Sequence, residues 1–128
     1  MSRQNFLDAI QRRGASGRMV FGTGTSIVCQ DLMREVGTAF PEGHTNPEAM
    51  FQLALAGHTL LGFDVVMPLF SVCRVNWGGP NSMPESGPPI FATSADIAIP
   101  PDLLTRPGCA VPLKALAMLR RELGDAAA

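Results

Sequence analysis

The sequence has no surplus of charge of either sign. Ten Lys and Arg against eleven Asp and Glu give a net charge of −1, which supplies no basic field for nucleic acid or anionic lipid. No apolar run nears the roughly 18 residues that a membrane-spanning helix requires. The opening Met1-Ser2-Arg3-Gln4-Asn5 lacks the apolar stretch of a signal peptide. The expected compartment is therefore the cytoplasm, with neither nucleic acid nor membrane as a partner. Cysteine is scarce: Cys29, Cys73 and Cys109 are odd in number, widely spaced and contain no CxxC pair. A disulfide framework is not expected from that pattern, and nothing in the spacing suggests zinc. Buried or half-buried free thiols are the expectation.

What is present suits one folded domain. The chain has 128 residues, 46% of them hydrophobic and 16% charged, enough to bury a usable core. Arg3 to Arg13 carries Phe6, Leu7 and Ile10 on one side and predicts an amphipathic helix ended by Gly14. Arg18 to Phe21 predicts a short strand, stopped by Gly22-Thr23-Gly24-Thr25. A glycine-rich turn after a strand raises the question of a phosphate cradle. Here Ile27 replaces the third glycine of a dinucleotide fingerprint, and no P-loop lysine follows. The plainer reading has Thr25 or Ser26 capping a helix over Ile27 to Val36, with Gly37 closing it. Backbone N–H groups at that helix start would remain able to meet an anion. Ala39 to Thr45 predicts a loop.

Asn46-Pro47-Glu48 is a strong helix start: a capping amide, a proline at the first helical position, then an acid near the positive end of the dipole. That helix is predicted to reach about Leu61, burying residues among Met50, Phe51, Ala54, Leu55, His58 and Leu61, with His58 a satisfied core histidine. Gly62-Phe63-Asp64 then turns the chain into Val65-Val66-Met67, an apolar run without alternation that predicts a strand buried on both faces. Val72 to Gly78 reads as another short extended piece. Eleven prolines and thirteen glycines are many for this length, and eight of the prolines lie from Gly78 to Pro112, predicting a long irregular connection. Asp102-Leu103-Leu104 forms one turn in this reading. A last helix begins near Ala110-Val111-Pro112, carries Leu113, Leu116, Met118 or Leu119, and Leu123, and ends at Gly124.

Strands alternating with helices argue for a parallel α/β sheet, whose strands need neighbours. Two strands do not cover the apolar faces of such a sheet. The expectation is that the chain is part of something larger.

Several blocks now acquire a family likeness. Thr23-Gly24-Thr25-Ser26-Ile27-Val28, Phe40-Pro41-Glu42-Gly43-His44-Thr45-Asn46-Pro47-Glu48, Leu53-Ala54-Leu55-Ala56-Gly57-His58 and Leu61-Gly62-Phe63-Asp64-Val65-Val66-Met67-Pro68 resemble the uroporphyrinogen decarboxylase superfamily. Met83-Pro84, Ile99-Pro100, Leu103-Leu104 and the segment from Arg106-Pro107 to Gly124 follow in the family's order. The nearest branch by resemblance is the corrinoid-dependent methyltransferases, including methylcobamide:coenzyme M methyltransferases. The resemblance implies an α/β fold, an incomplete (β/α)8 (TIM) barrel. It would hold the N-terminal helix, the first two βα units and a Pro/Gly-rich loop of a domain of about 250 residues. Residues 1–128 would be the N-terminal portion of that domain. Positions at the barrel mouth would be Thr23, Thr25, Ser26, Phe70 and Ser71, with His44 added from its family-like loop. No catalytic role is assigned to any of them.

Departures from the family pattern narrow the function. The Arg-Gln-Ala-Gly-Arg motif that resemblance to true decarboxylases would require is replaced by Phe21-Gly22-Thr23-Gly24-Thr25. Ser71 stands where those enzymes carry an aspartate. A porphyrinogen with many carboxylates then lacks its arginine partners, so decarboxylase activity is disfavoured. The methyltransferase branch implies corrinoid (methylcobalamin) and a zinc ion held by a His-x-Cys pair and a distant Cys. Those ligands have no counterpart here, and His44, Cys73 and Cys109 do not match them. Phe70-Ser71-Val72 also runs almost directly into Cys73-Arg74-Val75-Asn76-Trp77-Gly78, where the family has an intervening helical piece. The leading expectation is a fragment or split subunit of a methyltransferase, inactive alone. Its partners would be the rest of the barrel as a separate chain, a corrinoid protein, or a second copy. The alternative is a non-catalytic binding or assembly module that pairs through an open sheet edge at Val65 to Leu69.

Overall fold

A computed structural model of the chain describes residues 3–13, 19–22, 29–68, 95 and 101–128. In order, the helices are α1 (Arg3–Ile10), α2 (Gln30–Val36), α3 (Glu42–Thr45), α4 (Pro47–Thr59) and α5 (Pro107–Leu123), with a 3-10 turn at Leu103–Thr105 before α5. The predicted parallel sheet is not found. Among the described residues there is no β-strand, and the one strand-like feature is an isolated parallel bridge between Gly22 and Val65. An incomplete TIM barrel is therefore not the architecture of the described chain, which is almost entirely helical. The physical reason lies in the two apolar runs. Strand-like composition yields a strand only where a neighbour supplies a ladder, and these runs meet at one position. Met19, 73% exposed, and the exposed Phe21 are not sandwiched between layers as a buried parallel strand would be.

The core is a helix pair. Met50, Phe51 and Ala54 of α4 pack against Val111, Ala115 and Leu119 of α5. The three α5 residues recur every fourth position, so they form one stripe on the helix. Ala115, fully buried at the centre of that stripe, lets the two backbones approach. Leu53, with 1% of its surface exposed, is the deepest large side chain. Its burial contributes on the order of 1.5–3 kcal/mol. It does not belong to the stripe predicted for α4, because α3 covers a second face of that helix. Leu55 and His58 are half-buried, and Leu61 is exposed.

Capping residues act largely as expected. The Asn46 side chain accepts hydrogen bonds from Glu48 N at 2.9 Å and Ala49 N at 3.4 Å, with Pro47 at the first helical position. Gly37 takes a left-handed conformation (φ 75°) and returns its N–H to the Met33 carbonyl. Helix α2 starts at Gln30, later than predicted, with Cys29 at its N-cap making no side-chain capping bond. Thr25 and Ser26, the predicted caps, lie outside the described residues. Residues 42–45, predicted as loop, form the single turn α3. Helix α5 begins at Pro107 and takes Pro112 into its body. Pro107 already provides the φ and the missing N–H suited to a helix start. Cys29 is exposed and Cys109 half-buried, so the expectation of burial fails for Cys29, while Cys73 lies outside the described residues. Among the described residues no helix is long and apolar enough to cross a membrane.

Three stretches meet at Asp64-Val65-Val66. On one side Asp64 N and Val65 N donate to the Phe21 carbonyl at 2.7 and 3.3 Å. The buried Asp64 carboxylate accepts the Phe21 N–H at 3.0 Å. On the other side Ala128 N donates to the Asp64 carbonyl and Val66 N to the Ala128 carbonyl, each at 2.8 Å. Gly22 is needed for the closeness of the first contact. A Cβ there would lie 2.4 Å from Val65 Cβ and 3.3 Å from its Cα, and the backbone has no room to yield. Gly22→Ala is expected to pry Phe21 from Asp64 and destabilise the fold by about 1–3 kcal/mol. Urea unfolding should show a lower midpoint with an unchanged slope.

Candidate functional site

The loop that carries the family-like motif builds a compact shelf at one end of α4. Its Phe40–Pro41 peptide is cis. The Phe40 and His44 rings stack with centroids 4.3 Å apart and planes 20° apart. Gly43, between them in sequence, sits against Leu53. A Cβ at Gly43 would lie 2.9 Å from Leu53 Cδ1 and 3.2 Å from Phe40 Cε1, so glycine is what seats α3 on the core. Glu42 Oε1 accepts from Asn46 Nδ2 at 3.1 Å, which orients the capping amide for α4. Thus Phe40-Pro41-Glu42-Gly43-His44-Thr45-Asn46 acts as one unit. Its glycine packs, its amide caps, and its histidine lies on an aromatic ring.

His44 is half-buried, and loss of hydration there lowers its pKa from the ordinary histidine value. The neutral imidazole is favoured, a form suited to accepting a proton or a ligand. Among the described residues no three His, Cys, Asp or Glu side chains are grouped to hold a metal ion. The second histidine, His58, donates from Nδ1 to the Phe63 carbonyl at 2.6 Å, and a carbonyl acceptor fixes the proton on that nitrogen. It ties the end of α4 to the chain leaving it, as expected for a satisfied histidine. The described donors therefore do not fit the zinc centre that the resemblance implies, and no chemical step is derived through zinc.

Of the predicted mouth residues, the structure describes His44 alone; Thr23, Thr25, Ser26, Phe70 and Ser71 lie outside the described residues. The sequence reading missed two features. Asp64, 5% exposed, is a buried carboxylate that accepts a backbone N–H, where the sequence suggested only an acid at a bend. The second feature is a cavity of about 510 Å³ beside α5, lined mainly by apolar groups including Val66, Leu113, Leu116 and Ala127. Its signal lay in α5 itself, whose leucines are too many for a single buried stripe.

With this geometry in place, comparison with known proteins identifies the class. The family model for uroporphyrinogen decarboxylase (URO-D) matches residues 1–128, and the chain belongs to that family. Its similarity within the family is to methyltransferases. The chain is 36% identical over 111 residues to the methylcobamide:CoM methyltransferase MtaA of Methanosarcina barkeri, a match covering 80% of this chain and 32% of that protein. The MtaA of Methanosarcina barkeri strain Fusaro / DSM 804 is 35% identical over the same length, with the same coverage. A solved methyltransferase from Methanosarcina mazei superposes with a TM-score of 0.73 at 29% identity, covering 97% of this chain and 40% of that one. The chain thus spans about a third of the length of the MtaA relatives.

The lowered His44 pKa has a stability consequence. A histidine whose folded pKa is depressed binds fewer protons folded than unfolded. Its contribution is complete above the unfolded value of about 6.5 and is lost as pH falls through the folded value. Thermal unfolding should therefore show a midpoint that drops on acidification from about pH 7 to about pH 5. His44→Phe, which keeps an aromatic stack on Phe40, should flatten that dependence.

Proposed function

We propose that this chain is the N-terminal portion of a corrinoid-dependent methyltransferase of the uroporphyrinogen decarboxylase family, inactive alone and completed by further polypeptide. One observation carries the reading. The family match runs the whole length of the chain, while the methyltransferases it resembles are two to three times longer, with 32% and 40% of their lengths covered. In this reading the methyl donor is a methylcobamide and the acceptor coenzyme M, the pair that the MtaA name gives for those relatives. On the same reading the activating metal and its ligands come from the complement. The location is the cytoplasm, and a corrinoid protein is a further partner.

The contribution of this chain's own residues is scaffolding and recognition. The shelf from Phe40 to Asn46 offers one neutral, stacked imidazole, and the clasp at Asp64 fixes where the segments after Phe21 and Met67 depart. We place Thr23, Thr25, Ser26, Phe70 and Ser71 on those departing segments as binding rather than catalytic groups. The module alternative rests on an open sheet edge, and the described residues contain no sheet. The stretch Asp64-Val65-Val66 is hydrogen-bonded to Phe21 on one side and to Ala128 on the other, which argues against that route to self-association there.

The test is methyl transfer from methylcobalamin to coenzyme M with zinc supplied. The chain alone is expected to show no rate above the uncatalysed reaction. Co-expression with the part of the Methanosarcina mazei methyltransferase outside the matched 40% should restore measurable turnover. Turnover by the chain alone, or none from the assembled pair, would overturn the reading.

A further inference from the structure

The apolar cavity beside α5 adjoins the helix pair: Leu119 of the core stripe lines it, together with leucines that the pair does not use. Leu113 and Leu116 face away from the α4 contact, and each keeps 49% of its surface exposed. With Val66, Ala117 and Ala127 they line a recess of about 510 Å³. Arg3 and Arg120 line it as well. Exposed leucines gathered into a recess, with basic groups beside them, mark an interaction surface more than a random surface does.

Two occupants suit its apolar floor: a second copy of this chain, or the polypeptide that family members have and this chain does not span. Charge separates them. A twofold pairing over the recess sets Arg3 and Arg120 of both copies around one apolar seam, and like charges there oppose association. Asp125 offsets part of the Arg120 charge through a 3.3 Å ion pair. Coverage favours the other occupant, because 97% of this chain superposes on 40% of the Methanosarcina mazei methyltransferase. The larger share of that protein must pack somewhere on the matched part.

We infer that the recess formed by Val66, Leu113, Leu116 and Ala127 is the seat for the remainder of the family polypeptide. That polypeptide would dock through an apolar segment bordered by acidic side chains. The inference rests on the reading of this chain as part of a methyltransferase, and its test separates the two. The full chain is co-expressed with the part of the Methanosarcina mazei methyltransferase outside the matched region, and the pair is isolated through a tag on this chain. Affinity is then measured for wild type, Leu113→Glu, Leu116→Glu and Leu104→Glu. Leu104 is a control, 69% exposed in the 3-10 turn outside the recess. The three leucines are exposed, so circular dichroism should show all variants folded.

The expected result is a one-to-one complex weakened about tenfold or more by either recess variant and little by Leu104→Glu. Three results would overturn the inference: no complex, including precipitation of the partner; equal weakening by all three variants; or a self-dimer lost in Leu116→Glu. A complex that forms with the expected sensitivity yet transfers no methyl group leaves the seat standing and removes the function. An active complex indifferent to both recess variants does the reverse.

Discussion

Everything described in this chain depends on a clasp of peptide groups around Asp64-Val65-Val66. Helix α4 leads into it through Phe63, the stretch after α5 runs back to it at Ala128, and the segment 19–22 is held to it by Phe21. A buried carboxylate would be costly without donors, and Asp64 receives the Phe21 N–H in return for its desolvation. The helix pair α4 and α5 is therefore joined twice: by the apolar stripe along its length and by hydrogen bonds where both helices deliver their following residues. Either link alone would leave the other to find its register from a larger ensemble.

Local chemistry made the helix boundaries legible where a single residue has a single job. Asn46, Pro47 and Glu48 announce α4 because each satisfies a requirement of a helix start. Gly37 and Gly124 close α2 and α5 because both need a positive φ. Legibility failed where two signals conflict. Pro112 reads as a boundary, yet α5 passes through it, because Pro107 is the better start and packing of Val111 and Ala115 holds the turn. It failed again for the apolar runs at 19–21 and 65–67, since strand propensity describes a surface awaiting a neighbour and says nothing of whether one arrives. The site was legible in part. His44 stood out by its motif, whereas the burial of Asp64 and the recess beside α5 are products of long-range packing that no local pattern encodes.

The family resemblance and the helical architecture answer different questions. The motif block from Phe40 to Glu48 acts locally: a ring to stack on, a glycine packed against Leu53, an amide to cap the next helix. Such roles need no distant segment, and the chain spans about a third of the length of its relatives. Catalysis by convergent donors is another matter, because it needs groups from separate segments brought within a few ångströms of one another. The described residues have the first kind of order in abundance. Among them no three His, Cys, Asp or Glu side chains gather to hold a metal, and one imidazole is engaged with a carbonyl and the other with a ring.

Pro112 has a dynamic corollary. Without an N–H at that position, the Gly108 carbonyl loses its partner one turn below, and the start of α5 contains a second proline at Pro107. Along a single helix, resistance to opening should then be graded. Amides from Ala115 to Leu119, over the buried stripe, exchange with solvent only when the helix pair separates, while those near Cys109 and Ala110 exchange through local fraying. Helix α5 is thus two units of unequal persistence, and Leu116 of the recess lies on the firmer one.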